Sequence, residues 1–412
     1  MLILEGKLKG KTDQYEALNQ AIRTGQFIQN KCLRLWMDSS KEDKINRFAL
    51  NKYCAVLASN PEYPWASQLN SMARQAHAER AWAAISRFYA NCKNKTPGKK
   101  GFPKFKKFAR SVEYKTSGWS LSQDRKVVTF TDGFNAGSFR ITGAKDLKHY
   151  SKEQIKRLRV VRRADGYYAQ FAVDVDRQEV VEPTGTAIGI DVGLTHFYTD
   201  SNGEQVENPR FLRKSEKRLK KIQRRLSKRF KKTPPGQPKV KQSNRYHKQR
   251  NRLARKHLQI SRQRKDHAVK LARCVVKSND FIAYEDLKVS NMVKNHCLAK
   301  SISDAGWRQF REWVDYFGIV FGKHIFAVAP HYTTVNCSGC SAQVKKSLSV
   351  RTHICLCGTI LDRDHNAAIN ILNLALNTAG HVEIYARGQS HLCQLSESLA
   401  GKWSGGAVNP TD

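Results

Sequence analysis

The sequence predicts a multidomain α+β protein, because strand-rich segments alternate with a helical module and a cysteine-rich insertion. Apolar residues three or four positions apart predict helices over residues 13–36 and 68–89, which make residues 11–95 a helical module. Apolar residues at alternate positions predict a strand within residues 1–10 and further strands within residues 96–183. Strands on both sides of the helical module suggest one β-barrel that the module interrupts.

The strands after the helical module can be placed one by one. They are predicted at residues 127–130, 139–142, 158–162 and 168–175. Asp165-Gly166 joins the last two and is a strong hairpin signal. A second strand-rich region begins at Ala187. Its later elements are predicted as strands at 281–284 and 325–329, a helix at 304–323 and a final helix from near Asp364.

The strongest compositional signal is the net charge of +38, from 73 Lys and Arg against 35 Asp and Glu. Residues 210–264 hold 23 basic residues and one acidic residue, and a Pro-Pro-Gly turn divides them into two predicted basic helices. A helix whose charges are merely solvated usually mixes both signs for i,i+4 pairing. The near-absence of acids therefore indicates that phosphates supply the counterions and that the partner is a nucleic acid.

A second basic segment, residues 96–108, interleaves lysines with Phe102 and Phe105. These two rings and Tyr53 are candidates to stack on bases, with core packing as the alternative. The cations expected to contact nucleic acid are Lys99, Lys100, Lys104, Lys106, Arg218, Lys221, Arg225 and Lys228.

Composition also excludes several classes of protein. Hydrophobic residues make up 40% of the chain, which supports packed cores and argues against wholesale disorder. No run of about 18 apolar residues could span a membrane, and residues 1–10 lack the apolar block of a signal peptide. We therefore expect a cytoplasmic protein with no membrane partner, whose ten cysteines favour a metal site, or no site, over disulfides.

Four cysteines have spacings typical of a zinc knuckle. Cys337-x2-Cys340 is followed, after fourteen residues, by Cys355-x-Cys357, one residue shorter than the usual second pair. Zn2+ binds four thiolates in a tetrahedron at about 2.3 Å. Four of ten cysteines within 21 residues argue against coincidence, so we expect one structural zinc with no open position. His353 is an alternative ligand.

Three carboxylates lie at element ends. Asp191 and Glu285 each end an apolar strand, and Asp364 lies where a turn enters the final helix. A single acid of this kind is more often a cap, but acids at the ends of adjacent strands converge on one edge of a sheet. Three of them can hold two Mg2+ about 3.5–4 Å apart, an arrangement that cleaves phosphodiesters. Asp362 competes with Asp364 for the third position.

The order of these motifs resembles a known family. GIDVG (189–193), AYEDL (283–287) and DRDHNAAINI (362–371), with the cysteines before the third acid, are similar to the split RuvC nuclease of TnpB proteins and their type V CRISPR relatives. Further similar segments are GFPKF (101–105), KNHCLAKSISDAGW (294–307) and CSGC (337–340). The resemblance covers nearly the whole chain and is weakest in residues 11–95 and beyond 380. It implies that Asp191, Glu285 and Asp364 are the catalytic triad, since Asp364 directly precedes the x-Asn-Ala-Ala helix start.

The resemblance also implies a division into domains. The expected parts are a wedge-type barrel (1–10 and 96–183), a helical recognition domain (11–95), an RNase H-like RuvC nuclease (184–330) with basic helices at 210–275, a zinc-knuckle insert (331–360), a final nuclease part (361–379) and a C-terminal tail (380–412).

TnpB proteins are encoded in bacterial insertion sequences, bind a guide RNA from the transposon end and cut matching double-stranded DNA beside a short transposon-adjacent motif. The resemblance thus implies a guide RNA, two catalytic Mg2+, one structural Zn2+ and a monomer associated with the bacterial nucleoid. Guide pairing would read most of the target. Tyr53, Ser71 and Gln75 are the candidates to read the adjacent motif, since such side chains can reach base edges.

Three alternatives stay open at this point. A transposase acting directly on DNA ends would share the acidic site and the basic surface, but the zinc knuckle and the basic helices favour the guided nuclease. A nucleic-acid-binding regulator that keeps the fold without cutting is disfavoured by the intact triad. An effector guided by a CRISPR array would differ mainly in its genomic context.

Overall fold

The computed structural model describes residues 1–40, 43–238, 240–347 and 349–378. The chain divides into two compact units, Met1–Arg177 and Gln178–Asp412. Both units mix helices and sheets, which agrees with the predicted multidomain α+β class at the level of a mixed, multidomain fold. The predicted tail at 380–412 lies outside the described residues. None of the helices in the described ranges is long and apolar enough to cross a bilayer.

The first unit begins with a strand and three helices. These are β1 (Leu2–Lys9), α1 (Thr12–Asp38), α2 (Arg47–Ser59) and α3 (Ser71–Lys93). The side chain of Asn70 caps α3 by accepting hydrogen bonds from the backbone N–H groups of Met72 and Ala73 at 2.9 and 3.4 Å. Helices α1 and α3 approach closely at Gly25, where an added Cβ would lie 2.2 Å from Nε2 of His77. The predicted helical module is present, and α2 is an addition to it.

The other strands of the first unit complete an antiparallel sheet with β1. They are β2 (Ser111–Tyr114), β3 (Trp119–Leu121), β4 (Val127–Phe130), β5 (Gly137–Thr142), β6 (Ile155–Arg163) and β7 (Gly166–Val173). The strand order is β2-β6-β7-β1-β5-β4-β3. The hairpin predicted at Asp165-Gly166 joins β6 to β7, and Gly166 takes φ +138°, a backbone conformation that L side chains rarely adopt.

The predicted β-barrel is wrong, because this sheet is open. Strand β2 pairs with β6 and β3 pairs with β4, and no pairing between β2 and β3 closes the sheet in the described part of the unit. Helix α3 packs against one face of β2. Arg80 of α3 donates to Glu113 at 2.6 Å and to Ser111 at 3.4 Å, both on β2.

The second unit is built on a mixed sheet. Its elements are β8 (Ala187–Val192), β9 (His196–Asp200), β10 (Gln205–Glu207), α4 (Phe211–Ser227), α5 (Asn244–Ser278), β11 (Phe281–Glu285), α6 (Val289–Met292), α7 (Ala299–Ala305), α8 (Trp307–Phe321), β12 (His324–Val328), β13 (Thr352–Ile354), β14 (Ile360–Asp362) and α9 (Arg363–Thr378). The main sheet has the order β10-β9-β8-β11-β12, in which β8, β11 and β12 are parallel and β9 is antiparallel to β8. The single helix predicted at 304–323 is divided at Gly306, which has φ +74°.

Helices cover both faces of this mixed sheet. Ile282 and Tyr284 of β11 belong to the apolar cluster that α5 and α8 complete, whereas Phe281 and Ala283 pack with α9. Successive side chains of a strand point to opposite faces, so the two clusters lie on opposite sides. On the α9 side the approach is close, since a Cβ added to Gly189 would lie 2.2 Å from the carbonyl oxygen of Ala368.

Candidate functional site

Two of the three predicted carboxylates lie side by side near the carboxyl ends of two inner strands of the mixed sheet. In the parallel pair β8–β11, Tyr284 is in register with Ile190, so Glu285 and Asp191 come at the same level on adjacent strands. Both are buried. Burial raises the pKa of Asp191 well above its usual range, and the nearby Glu285 and Asp364 carboxylates raise it further. The structure therefore brings all three predicted acids into electrostatic contact.

Glu285 has one hydroxyl partner. Burial raises its pKa, and a hydrogen bond from the Thr333 hydroxyl to Oε1 partly opposes that shift by stabilising the charged form. A carboxylate held in this way keeps a fixed direction while its second oxygen remains available.

The third carboxylate, Asp364, lies in the first turn of α9. Its oxygens accept hydrogen bonds from Arg351 at 3.2 Å and from Arg363 at 3.1 Å. Arg351 also donates to the Thr195 hydroxyl at 3.1 Å. Two arginines thus balance the charge that Asp364 adds to the buried pair. Sequence reasoning missed Arg351 because it precedes Asp364 by thirteen residues and stands beside no motif.

Asp362, the competitor of Asp364, has a different task. Its Oδ1 accepts hydrogen bonds from the backbone N–H groups of Asp364 at 2.8 Å and His365 at 3.3 Å, the second and third residues of α9. That geometry is an N-cap, which satisfies donors that the helix leaves open. The structure thereby gives Asp362 a capping contact, while both Asp362 and Asp364 lie near enough to Asp191 to raise its pKa, with the larger effect from Asp364.

The chemistry of these carboxylates fits a hard divalent cation. Their oxygens are the ligand type that Mg2+ prefers, and the repulsion that raises the pKa of Asp191 is what a cation would relieve. Their spacing is wider than that of a preformed cage. In the described ranges, the cysteine group is the one set of three or more His, Cys, Asp or Glu whose ligand atoms all lie within 4.8 Å.

The four predicted cysteines do converge. Cys337 lies 3.6 Å from Cys357 and Cys340 lies 3.5 Å from Cys355, measured between sulfurs, and all four are free thiols. The hairpin β13–β14 carries the second pair. Such a group could bind a metal, and four thiolates are a typical zinc set.

His353, the alternative ligand, is not one of the four side chains that converge. The ring is fully buried, and the Lys346 ammonium contacts its Nδ1. Burial raises the pKa of Cys337, but hydrogen bonds from the backbone N–H groups of Gly339 and Cys340 and from the Thr359 hydroxyl oppose it, and that pKa falls to about 5. A stabilised thiolate is the form that binds zinc.

Two asparagines of α9, one turn apart, join the cysteine loop to the carboxylates. Asn366 is fully buried, accepts from the backbone N–H of Ser338 at 2.9 Å and donates to the carbonyl of Asn336 at 2.8 Å. Asn370 donates to the carbonyls of Asn336 and Thr333, both at 2.8 Å. Since the Thr333 hydroxyl bonds Glu285, the loop, α9 and the acidic site form one polar network.

The two predicted basic helices exist as α4 and α5, and they pack on each other. Leu219 and Ile222 of α4 are buried, and Gln249 of α5 donates to the carbonyl of Ile222 at 3.2 Å. The four predicted contact residues are exposed, lie three or four positions apart and have no carboxylate partner among the described residues; they are Arg218, Lys221, Arg225 and Lys228.

An acid missed by sequence reasoning fixes these helices in place. Asp304 is buried and accepts from the backbone N–H groups of Leu212 and Arg213, at the start of α4, at 2.8 to 3.1 Å. It also accepts from Arg264 of α5 at 2.9 Å. One carboxylate therefore caps one basic helix and pairs with the other.

The predicted basic loop of the first unit is exposed and is held through its backbone. Lys106 donates its N–H to Asn30 of α1 at 2.8 Å, and its carbonyl accepts from Asn30 and Gln26. The side chains of Lys99, Lys104 and Lys106 are exposed, while the Lys100 ammonium donates to the carbonyl of Thr96.

The aromatic candidates of this unit divide between packing and exposure. Phe102 packs against Trp36 and Phe88 yet is 54% exposed, and Phe105 lies under the Arg34 guanidinium. The ring of Tyr53 is partly buried against the core, which is the packing alternative. Ser71 and Gln75 lie one turn apart on α3, and Gln75 accepts from Lys115 at 3.5 Å.

The chain matches two known family models, one after the other along the sequence. Residues 170–296 match the OrfB_IS605 family, described as a probable transposase, and residues 307–371 match the Cas12f1-like TNB domain. A putative RNA-guided DNA endonuclease of Streptomyces pristinaespiralis is 36% identical over 195 residues, 47% of this chain and 46% of the relative. This chain thus spans about half the length of that relative.

Other relatives extend the match. The putative RNA-guided DNA endonuclease InsQ of Escherichia coli (strain K12) is 28% identical over 298 residues, which are 68% of this chain and 69% of InsQ. Among solved structures, a Cas12f1–sgRNA–target DNA complex aligns with a TM-score of 0.55 and 15% identity over 88% of this chain and 83% of that one. The mini-RNA-guided endonuclease CRISPR-Cas_phi3 aligns with a TM-score of 0.54 and 10% identity over 91% and 92%. These alignments show that the fold is shared.

The two family matches fall on the parts of the chain that carry the acidic site. The first covers Asp191 and Glu285 together with both basic helices, and the second covers the four cysteines and Asp364. The chain is accordingly similar to the OrfB_IS605 family and then to the Cas12f1-like TNB domain over these two regions, and to proteins named as putative RNA-guided DNA endonucleases over about half to two thirds of its length.

Proposed function

We propose that this protein is an RNA-guided DNA endonuclease of the TnpB type, encoded by an insertion sequence, which cuts double-stranded DNA beside a short adjacent motif. The observation that carries the proposal is the level placement of buried Asp191 and Glu285 on adjacent parallel strands, with the Asp364 carboxylate of α9 near enough to raise the pKa of Asp191. The relatives' names support guidance by RNA. The strand order β10-β9-β8-β11-β12 supports an RNase H-like, RuvC-type nuclease unit.

The roles of the acids follow from their surroundings. Asp191, Glu285 and Asp364 would hold two Mg2+, which lower the pKa of an attacking water and stabilise the leaving 3′ oxygen. Asp191 and Glu285 provide buried carboxylates at the same level of β8 and β11. The hydrogen bond from Thr333 fixes the direction of the Glu285 carboxylate. Arg351 and Arg363 hold Asp364 in place. The four cysteines would bind one structural Zn2+.

The nucleic-acid partners are assigned by charge. The exposed faces of α4 and α5 and the loop at 96–108 would hold the guide RNA or its heteroduplex through phosphate contacts. Residues 11–95, with Tyr53, Ser71 and Gln75, would serve as the recognition domain that reads the adjacent motif. The open sheet of 1–10 and 96–183 would take the place of the wedge domain, and residues 184–379 would form the nuclease with its zinc insert.

One experiment tests the proposal as a whole. The protein is purified from cells carrying its native flanking DNA, the co-purifying RNA is sequenced, and the complex is offered a matched duplex with Mg2+. We expect cutting that depends on the guide, and binding without cutting for Asp191→Ala. Strand transfer of DNA ends without RNA would support a direct transposase instead, and binding without cutting by the unmutated complex would support a regulator.

A further inference from the structure

A cavity of about 610 Å³ lies beside the acidic site and takes no part in the proposed function. It is formed by the loop before the cysteines and by the later turns of α9. The described residues that line it include four asparagines, four hydroxyl side chains and one histidine, and none is Lys, Arg, Asp or Glu. In a chain of net charge +38 this neutral lining is unusual, and it favours an uncharged ligand with hydrogen-bonding edges over a phosphate.

Tyr332, which lines this cavity, has a strained backbone. Its φ of 62° is in the left-handed region, which is a real outlier for a bulky residue. Its carbonyl accepts hydrogen bonds from the N–H groups of Val335 and Asn336 at 3.0 and 2.9 Å, so the turn holds the conformation. Tyr332 is nevertheless 61% exposed, so burial of its side chain in a core does not offset the cost of the strained backbone. Strain of this kind concentrates at ligand sites.

Asn336 lines the same cavity, and one of its hydrogen-bond acceptors has no donor among the described residues. Its backbone carbonyl is fully used by Asn366 and Asn370, but its side-chain Oδ1 is buried and has no hydrogen-bond partner among the described residues. A buried acceptor without a partner costs about 1–3 kcal/mol, so an absent donor is the simplest explanation.

We propose that this cavity binds one unpaired nucleobase of the DNA strand being cut, with the Tyr332 ring stacked on the base and the Asn336 side chain turning its buried Oδ1 towards the cavity to accept from the edge of the base. Aromatic stacking combined with side-chain amides is how proteins hold single bases. Thr333 also lines the cavity and its hydroxyl bonds Glu285, so the base would be held next to a catalytic carboxylate. The inference rests on the proposed endonuclease function.

The first test removes bases from the DNA. Targets carrying a single abasic site, moved one position at a time across the cut region, are offered to the protein loaded with its guide RNA. We expect the unmutated complex to cut one or two of these targets about 5- to 150-fold more slowly, the range that stacking of one base provides. Tyr332→Ala should slow the intact target by a similar factor and be insensitive to the abasic site at those same positions.

The second test reads binding without cutting. A series of single-stranded DNAs, each carrying one 2-aminopurine at a successive position across the target, is mixed with the guide-loaded protein in the absence of divalent cation. Stacking on Tyr332 should quench the 2-aminopurine fluorescence, and Tyr332→Ala should remove the quenching. If the unmutated complex fails to cut matched DNA, the endonuclease proposal fails, while this measurement still decides the base site.

Three further variants separate binding from folding. Tyr332→Phe should retain the quenching of 2-aminopurine that Tyr332→Ala loses, because it keeps the ring. Tyr332→Gly should raise the melting temperature, since glycine adopts φ 62° freely, and should still lose base binding. Ile354→Ala is the matched control, because Ile354 is 62% exposed on β13 and does not line the cavity. The inference is overturned if Tyr332→Ala cuts and quenches normally, or if its defect is equal at every abasic position.

Discussion

At the scale of single residues, the two aspartates that open α9 have separable tasks. Asp364→Ala should slow cutting of guide-matched DNA by more than about 100-fold, because even residues that only support a metal ligand are worth 10–100-fold. Asp362→Ala should instead lower the free energy of unfolding by about 0.5–2 kcal/mol, the usual effect of losing an N-cap, and keep cutting. Cleavage rate, gel shift of the same target and melting temperature measure both effects.

Asp362→Asn is the control for this pair, because asparagine also caps helices. It should be normal in both stability and cutting. If Asp362→Asn abolishes cutting while Asp364→Ala preserves it, the two roles are exchanged and the third acid of the triad is Asp362.

Glu113 carries a second prediction, on pH. It is buried between Arg80, Arg157 and Arg159; burial raises its pKa, but the arginines outweigh burial and lower it from 4.5 to about 2. A depressed carboxylate pKa adds stability above the unfolded value, and that stability disappears as pH falls from 4.5 through 2. Glu113→Gln should therefore cost on the order of 3 kcal/mol at pH 7.

Urea unfolding at pH 7, 5 and 3 measures this difference between variant and unmutated protein. We expect it to be full at pH 7 and pH 5 and to be smaller at pH 3. Glu16→Gln is the control, because Glu16 is an exposed acid whose carboxylate lies 3.9 Å from Arg23 and should change stability little. A difference that grows towards low pH would contradict the assigned partners of Glu113.

The acids of the site were predictable from the sequence, but their partners were not. Asp191 and Glu285 each end an apolar strand, a local signal that one sequence displays. Thr333, Asn366 and Arg351 act through contacts 13 to 48 residues away, such as Thr333 to Glu285 and Ser338 to Asn366. No spacing rule encodes such contacts, since they exist only once the cysteine loop lies against α9.

At the scale of elements, the exposed face of α4 should dominate salt dependence. Replacing Arg218, Lys221, Arg225 and Lys228 together with glutamine should reduce the slope of log affinity against log salt. The reduction should be about 2.8 to 3.6, since each phosphate contact contributes about 0.7 to 0.9. Filter binding of the guide RNA between 50 and 200 mM salt measures the slope.

Lys220 and Lys270 provide the control for this experiment. Each pairs at 2.8 Å with an acid of its own helix, Glu216 and Asp266 respectively, so neither is expected to release a counterion on binding RNA. Replacing both with glutamine should leave the slope nearly unchanged. Equal slopes for the four-residue variant and the unmutated protein would mean that the charge of α4 is merely solvated.

Elements with a clear period were predicted well, and closure of the sheet was not. Period-two segments such as 127–130 became strands with the same bounds. The barrel failed because closure depends on whether β2 and β3 meet, and β3 has only three residues with no local signal of its partner. The break between α7 and α8 at Gly306 was missed because apolar spacing continues across it.

At the scale of the whole molecule, DNA cutting should depend on zinc bound by the four cysteines. The purified protein should contain one zinc per chain, and Cys337→Ser with Cys340→Ser should remove it. Asn366 and Asn370 bond the backbone of the same loop, and Thr333 of that loop bonds Glu285. Loss of zinc should therefore loosen Glu285 and abolish cutting although all three acids remain.

Cys297→Ser is the matched control, because Cys297 is an exposed free thiol outside the four-cysteine group. It should keep its zinc, its melting temperature and its cutting rate. Elemental analysis, thermal melting and cleavage are measured on the same preparations. Since four thiolates stabilise the metal only in the folded loop, a strong chelator should reproduce the double-serine defect and added zinc should reverse it. Well-folded, active protein without zinc would show that the network reaches Glu285 without the metal.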